Sequence, residues 1–379
     1  MNSAKSKGNI VLRFAAMDST LSSNFVTQAL EKICAILTQF ALSSTSYEKS
    51  LETIFHAVVH LHRKRLLARL RSGKWKKPKF LAKSHKKALW ADLENLRHRV
   101  QHCYGKGEKG ARGCIELAIR NLEAVLKGFE SSHVNGMDES SSLGDIEAEK
   151  LVIRKANVFC TDYNMREYIQ RLEQSIGIRP TAQVSAAIKT FRQIEKIAAY
   201  ERIPLLLMEI VGKYPVLFAN GIGTRYLTPY EGVVTDIGYE SWATTCHVHA
   251  EVQLAVYYDL REQADLSSTD EEMVRPRCIG ISKWLCFLCW EFLKAHGEWF
   301  PSKTHGRLYD QWTMPDLVEY GDEIRDKYVG IVKVIDEGVR ERTEAMEGRK
   351  ELWRVEPMTS RQDLLFLQSG IGNGDNDLA

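Results

Sequence analysis

Two short motifs constrain the fold of this chain more than any other feature, because their side chains can act together only if they meet in space. The first, in "CHVHAEVQLAVYYDLREQ", contains His249 and Glu251, and the second, in "LCFLCWEFLKAHG", contains Cys286 and Cys289. Residues two apart in mid-helix point about 200° away from each other, so His249 and Glu251 can converge only at the first turn of a helix. Residues three apart share a helix face, which suits the two cysteines.

The lengths of the predicted elements between the motifs allow them to meet. A helix over residues 249–263 would be about 22 Å long, and a strand over residues 277–282 would be about 20 Å long. If that strand runs antiparallel to the helix, the helix that follows begins beside the start of the first one. One imidazole and two thiolates would then form a tetrahedral zinc site with an open fourth position, and Glu251 would lie beside it as a proton acceptor.

The order H-x-E, then C-x-x-C, with a glutamate that is not a ligand, resembles the zinc-dependent nucleobase deaminases. Residues 214–315 are similar to the cytidine deaminase-like superfamily. The stretches "VHAEVQL", "IGISKWLCFLCWEFLKAHG" and "THGRLYDQWTMP" are similar to a mostly fungal branch of predicted nucleic acid deaminases within it. The resemblance covers about a quarter of the chain and leaves the N-terminal part unexplained.

The resemblance implies a role for each residue of the two motifs. His249, Cys286 and Cys289 would bind Zn²⁺, and Glu251 would move protons between water and substrate. His247 is an alternative imidazole ligand, but its spacing to Glu251 does not fit the deaminase pattern. We therefore expect His247 to support the site from outside or to lie at the surface.

The resemblance also implies a substrate pocket downstream of the cysteines. His305, in the element "THG", is a candidate for binding substrate or shaping the pocket, and we add Tyr309 and Trp312 as substrate-binding candidates. The chain departs from the superfamily at Leu285, where a proline usually precedes the first cysteine. Proline favours the first turn of a helix, so its absence weakens the match but leaves the ligands intact.

The sequence predicts an α/β fold with a large helical N-terminal region. Residues 1–130 show helical periodicity and are basic, and residues 131–148 are rich in Ser, Gly and acids, which is typical of a flexible linker. A hairpin in "PVLFANGIGTRYLTPY" and a strand in "RCIGIS" predict a mixed sheet covered by helices. The resemblance implies an α/β/α-layered, deaminase-like domain over residues 149–315, and we expect residues 316–379 to form a helical extension and tail.

Positive charge is concentrated in one segment. Residues 63–112 contain 17 Lys and Arg residues against three acids. Trp75, Phe80 and Trp90 lie among these cations, which is a composition suited to single-stranded nucleic acid. The alternative is a solvated helical face or an exposed connection, because Gly73 and Pro78 interrupt helices.

Composition also bears on location and partners. The longest apolar run, "IPLLLMEIVG", contains Glu209 and is half the roughly 20 residues that a membrane span needs, so we expect no membrane partner. Eight scattered cysteines without a secretory signal predict reduced thiols in the cytoplasm or nucleus. The early cations in "MNSAKSKGNIVLRFAAM" leave a mitochondrial presequence as an alternative. The long helical regions offer surface for a homo-oligomer.

These observations lead to two functional hypotheses, beside the third possibility that the C-x-x-C pair arises by chance in a helical scaffold that binds no metal. The first is a zinc-dependent hydrolytic deaminase of a nucleobase, with cytosine favoured over adenine, acting on a nucleic acid or a nucleotide. The second is a catalytically silent zinc-binding protein that acts as a nucleic-acid or protein interaction module. Substitution of Glu251 separates the two hypotheses, because only the first requires its carboxylate.

Overall fold

The computed structural model describes residues 10–17, 23–75, 87–131, 143–174, 181–236, 244–265, 275–281, 284–309 and 311–346. The chain divides into two compact units. Unit 1 comprises Met1–Ile10 and Gln28–Gly223, and unit 2 comprises Val11–Thr27 and Thr224–Ala379, in each case apart from the residues outside the described ranges. Both motifs, with their two cysteines, the histidine and the glutamate, lie in unit 2.

Unit 1 is a helical assembly built around one long helix. Its helices are α1 (Asn24–Ala41), α2 (Tyr47–Leu70), α3 (Leu89–Cys103), α4 (Lys109–Ser131), α5 (Leu143–Thr161), α6 (Tyr163–Gln174), α7 (Ala182–Lys213) and α8 (Pro215–Phe218). The long helix α7 packs against α2, α3 and α5. Its buried residues, including Ile194 and Ala198, join those of the other helices in a single hydrophobic core.

Polar side chains cap the two longest helices of unit 1. The Ser46 hydroxyl accepts a hydrogen bond from the Lys49 backbone N–H at the start of α2. The Thr181 hydroxyl accepts one from the Val184 N–H at the start of α7. These caps satisfy donors that the first helical turn leaves without a backbone acceptor.

The predicted linker over residues 131–148 coincides only in part with a connection between helices. Helix α4 ends at Ser131 and α5 begins at Leu143, while residues 132–142 lie outside the described residues. Helices α5, α6 and α7 belong to unit 1 and pack with the preceding helices. The division between the units at residue 223 therefore falls later in the chain than the boundary predicted at residue 148.

Unit 2 combines small sheets with three helices. Its elements are β1 (Ile10–Phe14), β2 (Ile222–Tyr226), β3 (Val233–Val234), β4 (Thr245–Val248), α9 (Ala250–Asp265), α10 (Phe287–His296), β5 (Trp312–Thr313) and α11 (Asp322–Met346). Strands β1 and β2, most of whose residues belong to unit 2, pair with each other. In the second sheet, β4 pairs antiparallel with β3 and parallel with β5, and His247 lies opposite Trp312.

The core of unit 2 holds α9, α10 and α11 together. Val252 and Val256 on α9, Phe292 on α10 and Tyr328 on α11 are buried in one apolar cluster. Gly297, with φ +80°, ends α10 in the left-handed conformation that glycine adopts without steric cost. The helices that follow the two motifs are therefore fixed within the same core.

The N-terminal segment of unit 2 is bonded to α9. The Arg13 guanidinium donates to the hydroxyls of Tyr257 and Tyr258. The buried side-chain amide of Gln253 donates to the backbone carbonyls of Ala16, at 2.9 Å, and Val248, at 2.8 Å. Residues far apart in the sequence therefore support the helix that carries Glu251.

Two strand predictions are wrong. The first half of the predicted hairpin forms α8, because Pro215 occupies the first helical position, where its missing N–H has no cost. Residues 277–281 form no regular strand, and residue 282 lies outside the described residues. Pro276 and Gly280 explain this result, because proline cannot donate to a ladder and glycine weakens a strand.

The predicted α/β class holds only in a coarse sense. The described residues are mostly helical, and the mixed sheet of unit 2 contains three short strands instead of a large layer. Among the described residues, no helix has the length and apolar composition that a membrane crossing requires.

Candidate active site

The first motif lies at a junction between strand and helix. Strand β4 ends at Val248, His249 follows it, and α9 begins at Ala250. Because His249 precedes the helix, its side chain does not have to point away from Glu251, as it would two residues earlier in the same helix. The His249 Nδ1 lies 3.3 Å from the Cys289 Sγ, and the Glu251 Oε2 lies 3.6 Å from the same sulfur. The predicted convergence of the two side chains at the first turn is confirmed.

The second motif forms the beginning of α10. Cys286 is the N-cap residue, and its Sγ accepts a hydrogen bond from the Cys289 backbone N–H at 3.3 Å. The backbone on either side of Cys286 is held by another segment, because the Leu285 N–H donates to the Lys303 carbonyl and the Phe287 N–H donates to the Arg307 carbonyl. Both cysteines are buried, so the position of each sulfur is tightly restricted.

The three donor atoms are spaced as a tetrahedral metal site requires. The His249 Nδ1 lies 3.6 Å from the Cys286 Sγ and 3.3 Å from the Cys289 Sγ, and all three atoms lie within 4.8 Å of one another. With ordinary zinc bond lengths, a nitrogen and a sulfur on one tetrahedral ion are about 3.6 Å apart. One imidazole and two thiols are also the donor types that zinc prefers. The residues therefore fit a zinc ion.

Burial and mutual hydrogen bonding separate the acidities of the two thiols. The hydrogen bond with Cys289, together with the smaller effect of His249, lowers the pKa of the Cys286 thiol to about 5 against the opposing effect of burial. Burial raises the pKa of the Cys289 thiol, and its hydrogen bond to Cys286 acts in the same direction. The pair thus holds one thiolate readily, and metal binding would release the second proton.

Glu251 lies beside the donor group without belonging to it. The group that could hold a metal ion comprises His249, Cys286 and Cys289, whereas Glu251 lies at its edge, in contact with the Cys289 sulfur. Its carboxylate is partly exposed in the first turn of α9. A carboxylate in this position can accept a proton from a molecule at the site and donate it again.

The three predicted substrate-binding residues lie near the donor group in different ways. The Tyr309 ring centroid lies 6.1 Å from that of His249 and 6.0 Å from that of His305. His305 is buried, and its Nδ1 accepts a hydrogen bond from the Arg307 N–H, so it shapes the loop. Among the described residues, the buried indole N–H of Trp312 has no well-aligned acceptor, but it lies close enough to the Cys289 thiol to oppose part of the rise in its pKa. Their contact with substrate stays a prediction.

His247 does not replace His249 in the group. It lies in β4, where its backbone N–H donates to the Gln311 carbonyl at 2.7 Å. Its ring contacts the Gly232 backbone so closely that a Cβ at Gly232 would lie 2.9 Å from the ring. His247 therefore packs within the small sheet.

A buried polar network links the far ends of the helices that carry the site. The Asp259 carboxylate on α9 is bonded to His296 Nε2 on α10 at 2.9 Å, to the Tyr328 hydroxyl on α11 at 2.6 Å and to Arg275 at 2.6 Å. The sequence alone does not predict this network. Its local signal is a polar or ionisable residue on the buried face of each helix, which does not reveal the partners.

The network could be mistaken for a second metal site. Asp259, His296 and Glu298 offer three donor atoms within 4.8 Å of one another. Arg275 and Lys327 both bond to Asp259 and to Glu298, so fixed cations already neutralise these carboxylates. A divalent ion would be repelled by these cations, and we interpret the cluster as structural.

The described part of the predicted basic segment is largely occupied by internal contacts. In unit 1, Arg63 pairs with Asp145 and Glu149, Arg71 pairs with Asp92, and Arg97 pairs with Glu94 and Glu123. Trp75 and Trp90 pack against the hydrophobic core. Residues 76–86, which include Phe80 and five lysines, lie outside the described residues. The structure therefore favours the solvated-face interpretation for the cations that it describes.

Comparison with known proteins identifies the region that holds the donor group. A family model described as an OTT_1508-like deaminase matches residues 248–316. These residues resemble a deaminase. The match begins one residue before His249 and contains Glu251, both cysteines and the three substrate-binding candidates. No curated protein and no solved structure matched the chain.

Proposed function

We propose that this protein is a zinc-dependent hydrolytic deaminase of a nucleobase. One observation carries the proposal: the His249 Nδ1 and the sulfurs of Cys286 and Cys289 converge with zinc spacing, beside the Glu251 carboxylate, within the deaminase-like region. A zinc ion supplies Lewis acidity, which makes water a usable nucleophile near neutral pH. The chain supplies three ligands, so one tetrahedral position is left for chemistry.

The role of Glu251 follows from its place beside the donor group. Deamination adds water to the ring carbon that carries the amino group, breaks the carbon–nitrogen bond and releases ammonia, so protons must move from the water to the departing nitrogen. The Glu251 carboxylate accepts a proton from water and returns it to that nitrogen. Because it is not a ligand, it is free to change its protonation state during turnover.

The surroundings of the donor group support a planar aromatic substrate. The Tyr309 ring lies beside His249 and offers a face for a nucleobase, and Trp312 lies on β5, which pairs with the strand that leads to His249. We propose cytosine as the preferred base over adenine, because cytosine is the commoner substrate in the superfamily that the motifs resemble. We further propose that the base belongs to a nucleic acid or a nucleotide.

We also propose that unit 2 is the catalytic domain and has deaminase-like α/β/α layering. The mixed pairing of β3, β4 and β5 and the position of α9 directly after β4 support this arrangement. None of the eight cysteines, all of which lie in the described ranges, forms a disulfide, which supports a reducing compartment, and we propose the cytoplasm or the nucleus.

A deamination assay with matched variants tests the proposed activity. Zinc-loaded wild type, Glu251→Gln and Glu323→Gln are incubated with cytidine, adenosine and short single-stranded DNA and RNA, and the products are identified by mass spectrometry. Glu323 is an exposed acid on α11, so Glu323→Gln controls for the loss of one carboxylate. We expect product from wild type and Glu323→Gln only, with a loss of at least about 100-fold in Glu251→Gln.

Two results would contradict this proposal. Equal turnover by Glu251→Gln and wild type would remove the carboxylate from the mechanism. Zinc-loaded wild type that deaminates none of the substrates, yet binds nucleic acid or a protein partner, would indicate the catalytically silent interaction module.

A further inference from the structure

Three cations near the candidate site each lie over an aromatic ring. The distances from the charged group to the ring centroid are 4.4 Å for Arg277 over Phe300, 5.6 Å for Lys303 over Trp284 and 5.2 Å for Arg307 over Tyr309. We call these six residues the aromatic–basic rim. All six lie in unit 2, and the three cations are exposed to solvent.

The backbone places the rim directly beside the donor group. The carbonyls of Lys303 and Arg307 accept hydrogen bonds from the N–H groups of Leu285 and Phe287, on either side of Cys286. Residues 303–307 therefore run alongside the start of α10. The Phe300 N–H donates to the Arg277 carbonyl at 2.7 Å, which attaches the third cation to the same segment.

Two cations of the rim, Arg277 and Arg307, differ from Arg275 in their partners. Arg275, only two residues before Arg277, is bonded to Asp259 and Glu262. Within the described part of the chain, neither Arg277 nor Arg307 has an acidic partner. Their guanidinium groups instead lie on Phe300 and Tyr309, which orients them and reduces the entropy lost when they bind an anion.

Exposed aromatic surface accompanies this charge. The Phe300 side chain is 59% exposed, and the neighbouring Leu308 is also exposed. Large apolar side chains in water favour a partner that covers them. Tyr309 joins the rim to the site, because its ring contacts both the Arg307 guanidinium and the His249 ring.

We propose that the aromatic–basic rim binds a single-stranded nucleic acid and presents one of its bases to the candidate site. The cations bind successive phosphates, and the rings of Phe300 and Tyr309 stack on bases, which is how proteins hold single strands without strict sequence preference. This inference rests on the proposed function, and it deepens it by naming the form of the substrate. It also places the phosphate contacts at the rim instead of in the basic segment predicted over residues 63–112.

The rings favour a single strand over the other polyanions. The faces of bases in a duplex are covered by stacking and cannot lie on Phe300 or Tyr309. An acidic polypeptide would match the cations but has no planar groups for the rings. The combination of alternating charge and aromatic surface therefore selects a nucleic acid with unstacked bases.

Fluorescence anisotropy on the full chain tests the proposal. The probe is a labelled oligocytidylate of about 12 nucleotides, which carries the preferred base and is long enough for a site of this kind. All proteins carry Glu251→Gln, so that no probe is consumed. The rim variant combines Arg277→Gln, Lys303→Gln and Arg307→Gln, and the control combines Lys155→Gln, Lys189→Gln and Lys333→Gln, which removes the same charge from exposed positions elsewhere.

For a single strand, the logarithm of the binding constant falls linearly with the logarithm of the salt concentration, and each phosphate contact adds about 0.7 to the steepness of this fall. We therefore expect the rim variant to lose about 2 from this slope and to bind at least about tenfold more weakly near 0.1 M salt. The control should keep the slope of the parent. A Phe300→Ala variant should weaken binding about tenfold without changing the slope, because it removes stacking but no charge.

The rim proposal would be overturned by an unchanged salt slope in a rim variant that melts at the same temperature as the control. It would also be overturned if duplex RNA bound as tightly as the single strand, or if polyglutamate of equal charge competed equally well. Because binding is measured without turnover, these results are independent of the assay on cytidine. Failure of the rim and failure of the proposed activity are therefore distinguishable.

Discussion

The Glu251 carboxylate lies 3.6 Å from the Cys289 sulfur, although 38 residues separate the two positions in the sequence. This contact places a proton acceptor at the edge of the donor group while His249 and the two cysteines occupy its centre. Removing a ligand changes the coordination of the metal, whereas removing a nearby base leaves the coordination intact. The contact therefore leads to a prediction about metal binding that does not depend on the identity of the substrate.

Glu251→Gln should leave the coordination of the metal unchanged. We expect Co²⁺-loaded Glu251→Gln to show the same thiolate charge-transfer and tetrahedral absorption bands as the wild type, because the ligand atoms are intact. His249→Gln should alter these bands, because it removes the imidazole nitrogen. A changed spectrum in Glu251→Gln would identify the carboxylate as a ligand and contradict its proposed role.

Asp259→Asn should destabilise unit 2. The substitution removes the charge that balances Arg275 and Lys327 in a buried network, and breaking such a network costs about 3 kcal/mol. Asp336→Asn is the control, because the exposed pair of Asp336 and Arg340 should contribute less than about 0.5 kcal/mol. Urea unfolding followed by circular dichroism measures both values, and equal stability of the two variants would show that the network is not needed.

The contribution of Asp259 should depend on pH in the acid range. Burial raises the pKa of this carboxyl, but the hydrogen bonds from His296 and Tyr328 outweigh it and hold the pKa well below the usual range. A carboxyl with a lowered pKa in the folded protein stabilises it above the unfolded pKa and loses that effect as the pH falls. We expect the stability difference between wild type and Asp259→Asn to be constant above about pH 5 and to shrink below it. A difference that grows on acidification would contradict this assignment.

Gln253→Glu should release the N-terminal segment from α9. A carboxylate cannot donate to the carbonyls of Ala16 and Val248, and leaving buried acceptors unpaired costs about 2–4 kcal/mol in total. Gln263→Glu is a control on the same helix, because its contacts with Glu319 and Gly321 are exposed. Hydrogen exchange should accelerate in residues 11–17 of Gln253→Glu and not of Gln263→Glu. Unchanged exchange would show that the amide does not hold the segment.

The donor group could be predicted from the sequence because its chemistry requires particular residue types at short spacings. His249 and Glu251 can meet only if His249 precedes the helix that carries Glu251. Cys286 and Cys289 share a helix face because they are three residues apart at the start of a helix. The route by which the motifs meet was predicted incorrectly. A strand over residues 277–282 was expected, whereas the ladder beside Cys286 is made by Leu285 and Thr304, which form a parallel bridge.

Other parts of the structure leave no local trace in the sequence. The bonds from Arg13 to Tyr257 and from Tyr328 to Asp259 join residues 244 and 69 positions apart. Periodicity reports which face of a helix is buried, but it does not report what packs against that face. The short α8 was mistaken for a strand for a related reason, because apolar runs of four residues suit either element until their neighbours are known.

The zinc content of the purified protein tests the central claim most directly. Elemental mass spectrometry of the wild type should give about one zinc ion per chain, since one group of ligands fits the ion. The double variant Cys286→Ser with Cys289→Ser should retain little zinc, because two of its three ligands are lost. A folded wild type that contains no zinc, and takes up none when zinc is supplied, would contradict the assignment of this site as a zinc-dependent deaminase centre.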